Sequence, residues 1–168
     1  VTASFAINQY TLTYTANSNG SIGGPTPQTV NHGSNGSAVT AVADSGYHFT
    51  QWSDTSVANP RADSNVTASL AVAASFAINQ YNVSSTGSGV GGSISPPSQT
   101  VSHGSTTTFS VAPTAGYTAN ASGCGGSLVG TTFTTGTITG ACSVTAVFTL
   151  NQYTVSSTGS GLGGSITP

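Results

Sequence analysis

Charged side chains are nearly absent from this sequence: of 168 residues three are aspartate and one is arginine, and lysine, glutamate and methionine do not occur. The formal net charge is −2. A chain with one cation cannot neutralise a phosphate backbone, which excludes nucleic acid as a partner. Three aspartates, one arginine and three histidines, thinly spread, do not supply the convergent acids, bases and nucleophiles of an active site. The chain therefore reads as a non-enzyme without a cofactor. No apolar run is long enough for a membrane span, and nothing resembles a signal peptide or a lipidation motif.

Disorder usually couples low hydrophobicity to high net charge. Here 36% of the residues are hydrophobic and only 2% charged, so the chain should fold. Roughly a third of the residues are Ser or Thr, far above ordinary usage, and Gly comes next. Such residues favour strands and turns over helices, which predicts an all-β protein with little or no helix.

One phrase occurs three times: Ile7-Asn8-Gln9-Tyr10, Ile78-Asn79-Gln80-Tyr81 and Leu150-Asn151-Gln152-Tyr153. The tyrosines lie 81 − 10 = 71 and 153 − 81 = 72 residues apart, the fixed period of a tandem array. Before each phrase apolar residues alternate, as at Leu70, Val72, Ala74, Phe76 and Ile78, the two-residue period of a half-buried strand. After it Tyr10, Leu12 and Tyr14 alternate on the other parity. A one-residue slip turns every side chain to the opposite face, so Asn8-Gln9, Asn79-Gln80 and Asn151-Gln152 are expected to be joints between separate cores. The organisation expected is a closing strand of a preceding repeat (1–7), repeat one (8–78), repeat two (79–150) and the opening strands of a further repeat (151–168). The sequence thus resembles a window from a longer protein. Repeats of about 70 residues bury only modest cores and need neighbours or staples.

Within repeat one, strands are expected at about 10–16, 21–22, 28–31, 37–43, 47–53 and 66–78, with 54–65 a loop carrying Pro60. Asn19-Gly20 signals a hairpin and Asn35-Gly36 a second tight turn, because both residue types tolerate positive φ. Repeat two follows the same order: Gln99 to Gly104 answers Gln28 to Gly33, and Ala115-Gly116-Tyr117 answers Ser45-Gly46-Tyr47. Residues 151–168 repeat 79–96 with differences only at 154, 162 and 167.

His32 and His103 occupy equivalent places before a glycine and read as turn residues, since one His per repeat supplies too few ligands for zinc. Asp44, Asp54 and Asp63 show no calcium-loop spacing and have no second-repeat equivalents. Arg61 is expected to pair with one of them in the loop. Trp52 and Tyr47 are expected to pack in the core rather than stack on sugar rings. Sequons at Asn19, Asn35, Asn65, Asn82 and Asn120 permit glycosylation without indicating it.

The stretch Gly46-Tyr47-His48-Phe49-Thr50-Gln51-Trp52-Ser53-Asp54 is followed by Ala58-Asn59-Pro60-Arg61 and Asn65-Val66-Thr67-Ala68, and closes with Ala74-Ser75-Phe76-Ala77-Ile78. It resembles the divergent internalin B-type repeats of bacterial surface proteins. The second repeat departs from that pattern, keeping Gly116-Tyr117 without a Trp. The resemblance implies a secreted, multi-repeat surface or adhesin-like protein, a compact β-grasp-like or small-sandwich repeat, and no catalytic residue. The reading that follows is an extracellular structural repeat, a stalk or fibre segment of a bacterial surface protein. The alternative is an adhesin module binding glycans or host or environmental proteins. Edge strands are usually guarded by charge, especially lysine; lacking it, these edges are open to neighbouring repeats, to copies of the chain in a filament, or to covering glycans.

Cys124 and Cys142 are expected to form a disulfide, as two cysteines in an exported chain of this size suggest. With Phe76 and Phe148 as anchors, an offset of 72 sets Cys142 on Leu70 and Cys124 on Trp52. One core contact would then be made as indole on leucine in repeat one and as a covalent bridge in repeat two. This alignment requires a two-residue insertion between Tyr117 and Cys124, because Gly46 and Gly116 align at 70. Two free buried thiols, or a bond to another chain, are the competing readings.

Overall fold

The structure is a computed structural model that describes residues 1–157. No helix occurs among them, and the chain is all-β. In repeat one the strands are β1 (Gln9–Ala16), β2 (Gly20–Gly23), β3 (Gln28–Asn31), β4 (Thr40–Ala43), β5 (Tyr47–Trp52) and β6 (Leu70–Ile78). Repeat two contains β7 (Gln80–Thr86), β8 (Gly92–Ser95), β9 (Ser98–Ser102), β10 (Thr108–Pro113), β11 (Tyr117–Gly123), β12 (Ser127–Val129), β13 (Thr132–Thr134) and β14 (Cys142–Leu150). By proximity the chain falls into two compact units, the first comprising Val1–Asn82 with Thr100–Ser105 and Thr137–Ala141.

Both repeats have the same central arrangement. In repeat one the sheet order is β3-β1-β6-β5, with the opening strand β1 beside the closing strand β6. That central pair is parallel, from Leu12 opposite Leu70 to Ala16 opposite Ala74, and antiparallel strands flank it on both sides. Repeat two repeats this order as β11-β14-β7-β9, with β7 and β14 the parallel pair. The two-residue period is visible in burial: Leu12 and Tyr14 on β1, and Val72 and Ala74 on β6, are enclosed while their neighbours are not. The parity change at the joint is also visible, since the buried residues of β6 are even-numbered and Val83 of β7 is odd.

A second layer completes each core. In repeat one it is the antiparallel pair β2 and β4, which aligns Ile22 with Ala41; in repeat two it is the four-stranded sheet β12-β13-β10-β8, which aligns Ile94 with Val111. Asn19-Gly20 does turn the chain, with Asn19 at φ 75°, but β1 and β2 do not form a hairpin ladder. β2 leaves the first sheet and pairs with β4, and the phenyl ring of Phe76 on β6 occupies the space directly over Gly20. Gly92 meets the ring of Phe148 in the same way, so both repeats seat an aromatic residue of the closing strand on a bare glycine. These two rings are half-buried, and Phe76 also packs edge-on against Phe49 at 6.2 Å.

Residues Val1 to Ile7, expected to close a preceding repeat, lie outside any strand here, and Phe5 is 93% exposed. β6, the strand in the corresponding place of repeat one, takes its hydrogen bonds from β1 and β5, both earlier in the chain. Residues 151–157 carry no strand either, and the remainder of the expected opening strands, 158–168, lies outside the described residues. The fourth expected strand is shorter than its sequence pattern, beginning at Thr40 instead of 37, and the last begins at Leu70 instead of 66.

Replacing Gly20 or Gly92 with alanine drives a methyl into the Phe76 or Phe148 ring. Each variant should lose about 1–3 kcal/mol in urea unfolding, the usual cost of overpacking. Gly23→Ala meets its nearest atom at 3.6 Å, an ordinary contact, and should stay within about 1 kcal/mol of the parent.

Candidate functional site: an ion cluster around a buried arginine in one repeat and a disulfide in the other

The loop between β5 and β6 brings the chain's only arginine into the core of repeat one. Arg61 is 7% exposed, and its backbone bridges that of Val39. Its guanidinium grips Asp63 with two hydrogen bonds, Nε to Oδ2 and Nη2 to Oδ1, both 2.8 Å. Nη1 reaches Asp54 at 2.8 to 2.9 Å. The cation lies 5.6 Å from the centre of the Trp52 ring. Tyr14 donates its hydroxyl to Asp63 Oδ2 at 2.7 Å, and the Trp52 indole donates to the Ala58 carbonyl at 2.9 Å. Among the described residues no buried side-chain nitrogen or oxygen lacks a partner. That completeness is what makes a buried ion pair tolerable, since desolvating an unmatched charge costs several kcal/mol.

The electrostatics follow from this geometry. Hydrogen bonding to Arg61 holds the Asp63 carboxyl below its usual range, against opposing desolvation, and the Tyr14 hydroxyl adds to the effect. Burial pushes Asp54 up, but its bonds to Arg61 and to the Ser56 N–H outweigh that, and its net shift is also downward. Burial raises Tyr14, reinforced by its bond to Asp63. Arg61 is raised by Asp63 first and Asp54 second, with desolvation opposing. The sequence suggested one carboxylate partner for Arg61; the fold supplies two. Asp44 sits apart in the turn before β5, where its carbonyl accepts from the Tyr47 N–H at 3.0 Å.

Repeat two fills the same place with other chemistry. The backbone pairing of Val39 with Arg61 corresponds to that of Phe109 with Phe133, two residues before the aligned Ala41 and Val111. A buried phenyl on the β12–β13 hairpin therefore stands where the guanidinium does. On the facing sheet the exchange runs the other way. Phe49 and Trp52 of β5 lie opposite Phe76 and Ala74, whereas Ala119 and Ala121 of β11 lie opposite Phe148 and Ala146. Bulk moves from one layer to the other.

Cys124 and Cys142 form a disulfide, with Cα atoms 5.6 Å apart. Cys142 pairs with Val83 as Leu70 pairs with Leu12, so the placement of Cys142 on Leu70 holds. The placement of Cys124 on Trp52 does not: the register gives Trp52's position to Ala121. The cause is a bulge in β5 between Phe49 and Gln51, which absorbs one residue and reduces the offset where an insertion in repeat two had been expected to increase it. Cys124 instead follows the end of β11, in a left-handed turn at φ 46°. Trp52 is fully buried, and Leu70 packs at the margin of its cluster.

The Asn-Gln joints are hydrogen-bonded through the asparagine backbone. The Asn79 N–H donates to the Gly46 carbonyl and its own carbonyl accepts from His103, both at 2.8 Å. Asn8 accepts from the His32 N–H, and Asn151 donates to Gly116, again at 2.8 Å. Gln9 and Gln80 are the first residues of β1 and β7, and Gln152 lies outside any strand. His32 and His103 each precede a glycine in the left-handed region, Gly33 at φ 77° and Gly104 at φ 81°. Among the described residues no three His, Cys, Asp or Glu side chains converge as a metal site.

Two successive all-β units of one topology, with different cores, define a tandem β-repeat protein. The chain belongs to the divergent InlB B-repeat domain family, whose pattern matches residues 10–80 and again 81–152. No curated protein and no solved structure matches it.

Two predictions separate the repeats. The carboxyls of Asp54 and Asp63, depressed on folding, stabilise repeat one fully above their unfolded value, and this contribution is lost as pH falls through the lower folded values. The Trp52-reported melting temperature should hold from pH 7 to about 5 and fall below about pH 4. Residues 79–150 contain no Asp, Glu, Lys or Arg, so the second transition should not follow it. Reductant should do the converse, costing repeat two about 3 kcal/mol for its 18-residue loop and leaving the Trp52 transition in place.

Proposed function

We propose that the chain is a non-catalytic stalk or fibre segment of a bacterial surface protein, working outside the cell. The observation that carries this is the absence of a linker: β6 ends at Ile78, β7 begins at Gln80, and one residue separates two units of the same family. Repetition without linkers adds length at each step, and stability in such arrays comes from each unit and its neighbour. The family's link to bacterial surface proteins supports the location, and the near absence of charge supports a passive scaffold over a reaction site. Uncharged edge strands such as β3 and β5 support a further step, pairing between copies of the chain in a filament.

A second reading, an adhesin module, has one observation in its favour. A shallow cavity of about 240 Å³ in repeat one joins the apolar side chains of Leu12 and Leu70 to Asp63, Ser64, Thr67 and Ser69. Serine and threonine hydroxyls over an apolar floor suit a small polyhydroxylated ligand.

Solution scattering on the chain and on longer natural tandems checks the first reading. The maximum dimension should grow by a constant step per added repeat; a dimension that saturates, as in a collapsed particle, would overturn it. Binding of saccharides across a glycan panel, lost in Thr67→Ala, which leaves the Arg61 cluster intact, would favour the adhesin.

A further inference from the structure

In each repeat the first and last strands are hydrogen-bonded neighbours, and they run parallel. The chain enters repeat one at Gln9 on β1 and leaves at Ile78 on β6. Between these points Leu12, Thr13, Tyr14, Thr15 and Ala16 face Leu70, Ala71, Val72, Ala73 and Ala74 in an unbroken ladder. The Asn17 N–H extends it by one bond, to the Ala74 carbonyl at 2.9 Å. Side chains reinforce it, as the Thr11 N–H donates to Ser69 Oγ at 3.1 Å and Asn17 Nδ2 to Ser75 Oγ at 3.1 Å. Repeat two does the same with Val83, Ser84, Ser85 and Thr86 against Cys142, Ser143, Val144 and Thr145.

Tension applied through the chain pulls the start of the opening strand one way and the end of the closing strand the other. Because the strands are parallel and adjacent, that pull runs along the ladder, and its hydrogen bonds must all slide together. In an antiparallel pair pulled at its open end the bonds break one at a time. We infer that the β1–β6 and β7–β14 ladders are mechanical clamps, and that each repeat is a load-bearing element resisting extension along the chain.

The disulfide gives the second clamp a further property. Cys142 is the first residue of the clamp strand β14, and it is bonded to Cys124, the residue just after β11. When the β7–β14 ladder fails under load, the segment between Cys124 and Cys142, 18 positions apart, stays locked out of the extending chain. Repeat two therefore pays out less length than repeat one, by about 60 Å at the extended rise per residue. It limits how far the protein stretches after a clamp has slipped.

Single-molecule pulling on the whole 168-residue chain tests both properties. Pulled from its ends, the oxidised chain should unfold in two discrete events, the shorter one lengthening by about 60 Å in reductant. A second geometry provides the control. His48 and Ala77 face each other across the antiparallel pair β5 and β6. Handles on His48→Cys and Ala77→Cys load repeat one across its strands, and should rupture it at a force severalfold lower than end-pulling does. Equal forces in the two geometries, or smooth extension from the ends without discrete events, would overturn the clamp. A shorter event that ignores reductant would overturn the role given to the disulfide. These outcomes are independent of the scattering experiment, so a weak repeat could still belong to an elongated stalk, and a strong one to a compact particle.

Discussion

The parallel ladder between opening and closing strands is the contact on which each repeat depends. It joins Leu12 to Leu70, 58 positions apart in the chain, so nothing local assembles it. Closing so long a loop costs entropy before the ladder returns any stability. The flanking antiparallel strands β3 and β5 hold the pair from either side, and the second layer covers its apolar face. The period of 71 to 72 residues is the chain needed to leave the central pair, build both flanks and the covering layer, and return in parallel beside the start.

Inside that frame the two cores show how little the fold depends on one packing solution. Repeat one closes with Arg61 between two carboxylates, beside Trp52 and beneath the Tyr14–Asp63 hydrogen bond. Repeat two has Phe133 at the place of Arg61, Ala121 at the place of Trp52 and Ser85, two residues after Val83, at the place of Tyr14. Replacing buried ion clusters with apolar groups of similar volume is often neutral or stabilising, and here one chain carries both solutions on the same scaffold. Repeat two gives up three large aromatics, Tyr14, Phe49 and Trp52, and gains a covalent bond. Its Phe109 and Phe133 restore bulk from the opposite layer.

Much of this was legible in the residues. Two-residue alternation located β1 and β6, the repeat carried them over to repeat two, and the parity change at Asn-Gln marked where one strand ends and the next begins. Two equally spaced places, Leu70 and Cys142, were aligned correctly because the closing strands are regular from end to end. The same arithmetic failed for Trp52 and Cys124 because a bulge after Phe49 changes the count without changing the pattern of apolar residues. The parallel pairing left no local trace, since strand direction is decided by where the chain returns. Asn19-Gly20 announced a hairpin, but the return strand leaves β1 and pairs with β4, a non-local choice with no trace in the turn residues. Arg61 read as a loop residue because it follows Pro60 in a polar stretch; its burial follows from two carboxylates and an indole that only the folded loop brings together.

Burial of that arginine bears on how the chain meets proteases. Enzymes that cut after lysine or arginine find one candidate bond in the sequence, Arg61–Ala62, because no other basic residue of either type exists. The side chain such an enzyme must draw into its specificity pocket is held by Asp54, Asp63 and Trp52, with 7% of the residue open to solvent. Cleavage has to wait for repeat one to open, so its rate tracks the population of the opened form when reclosing is fast. Repeat two offers such an enzyme nothing, folded or unfolded.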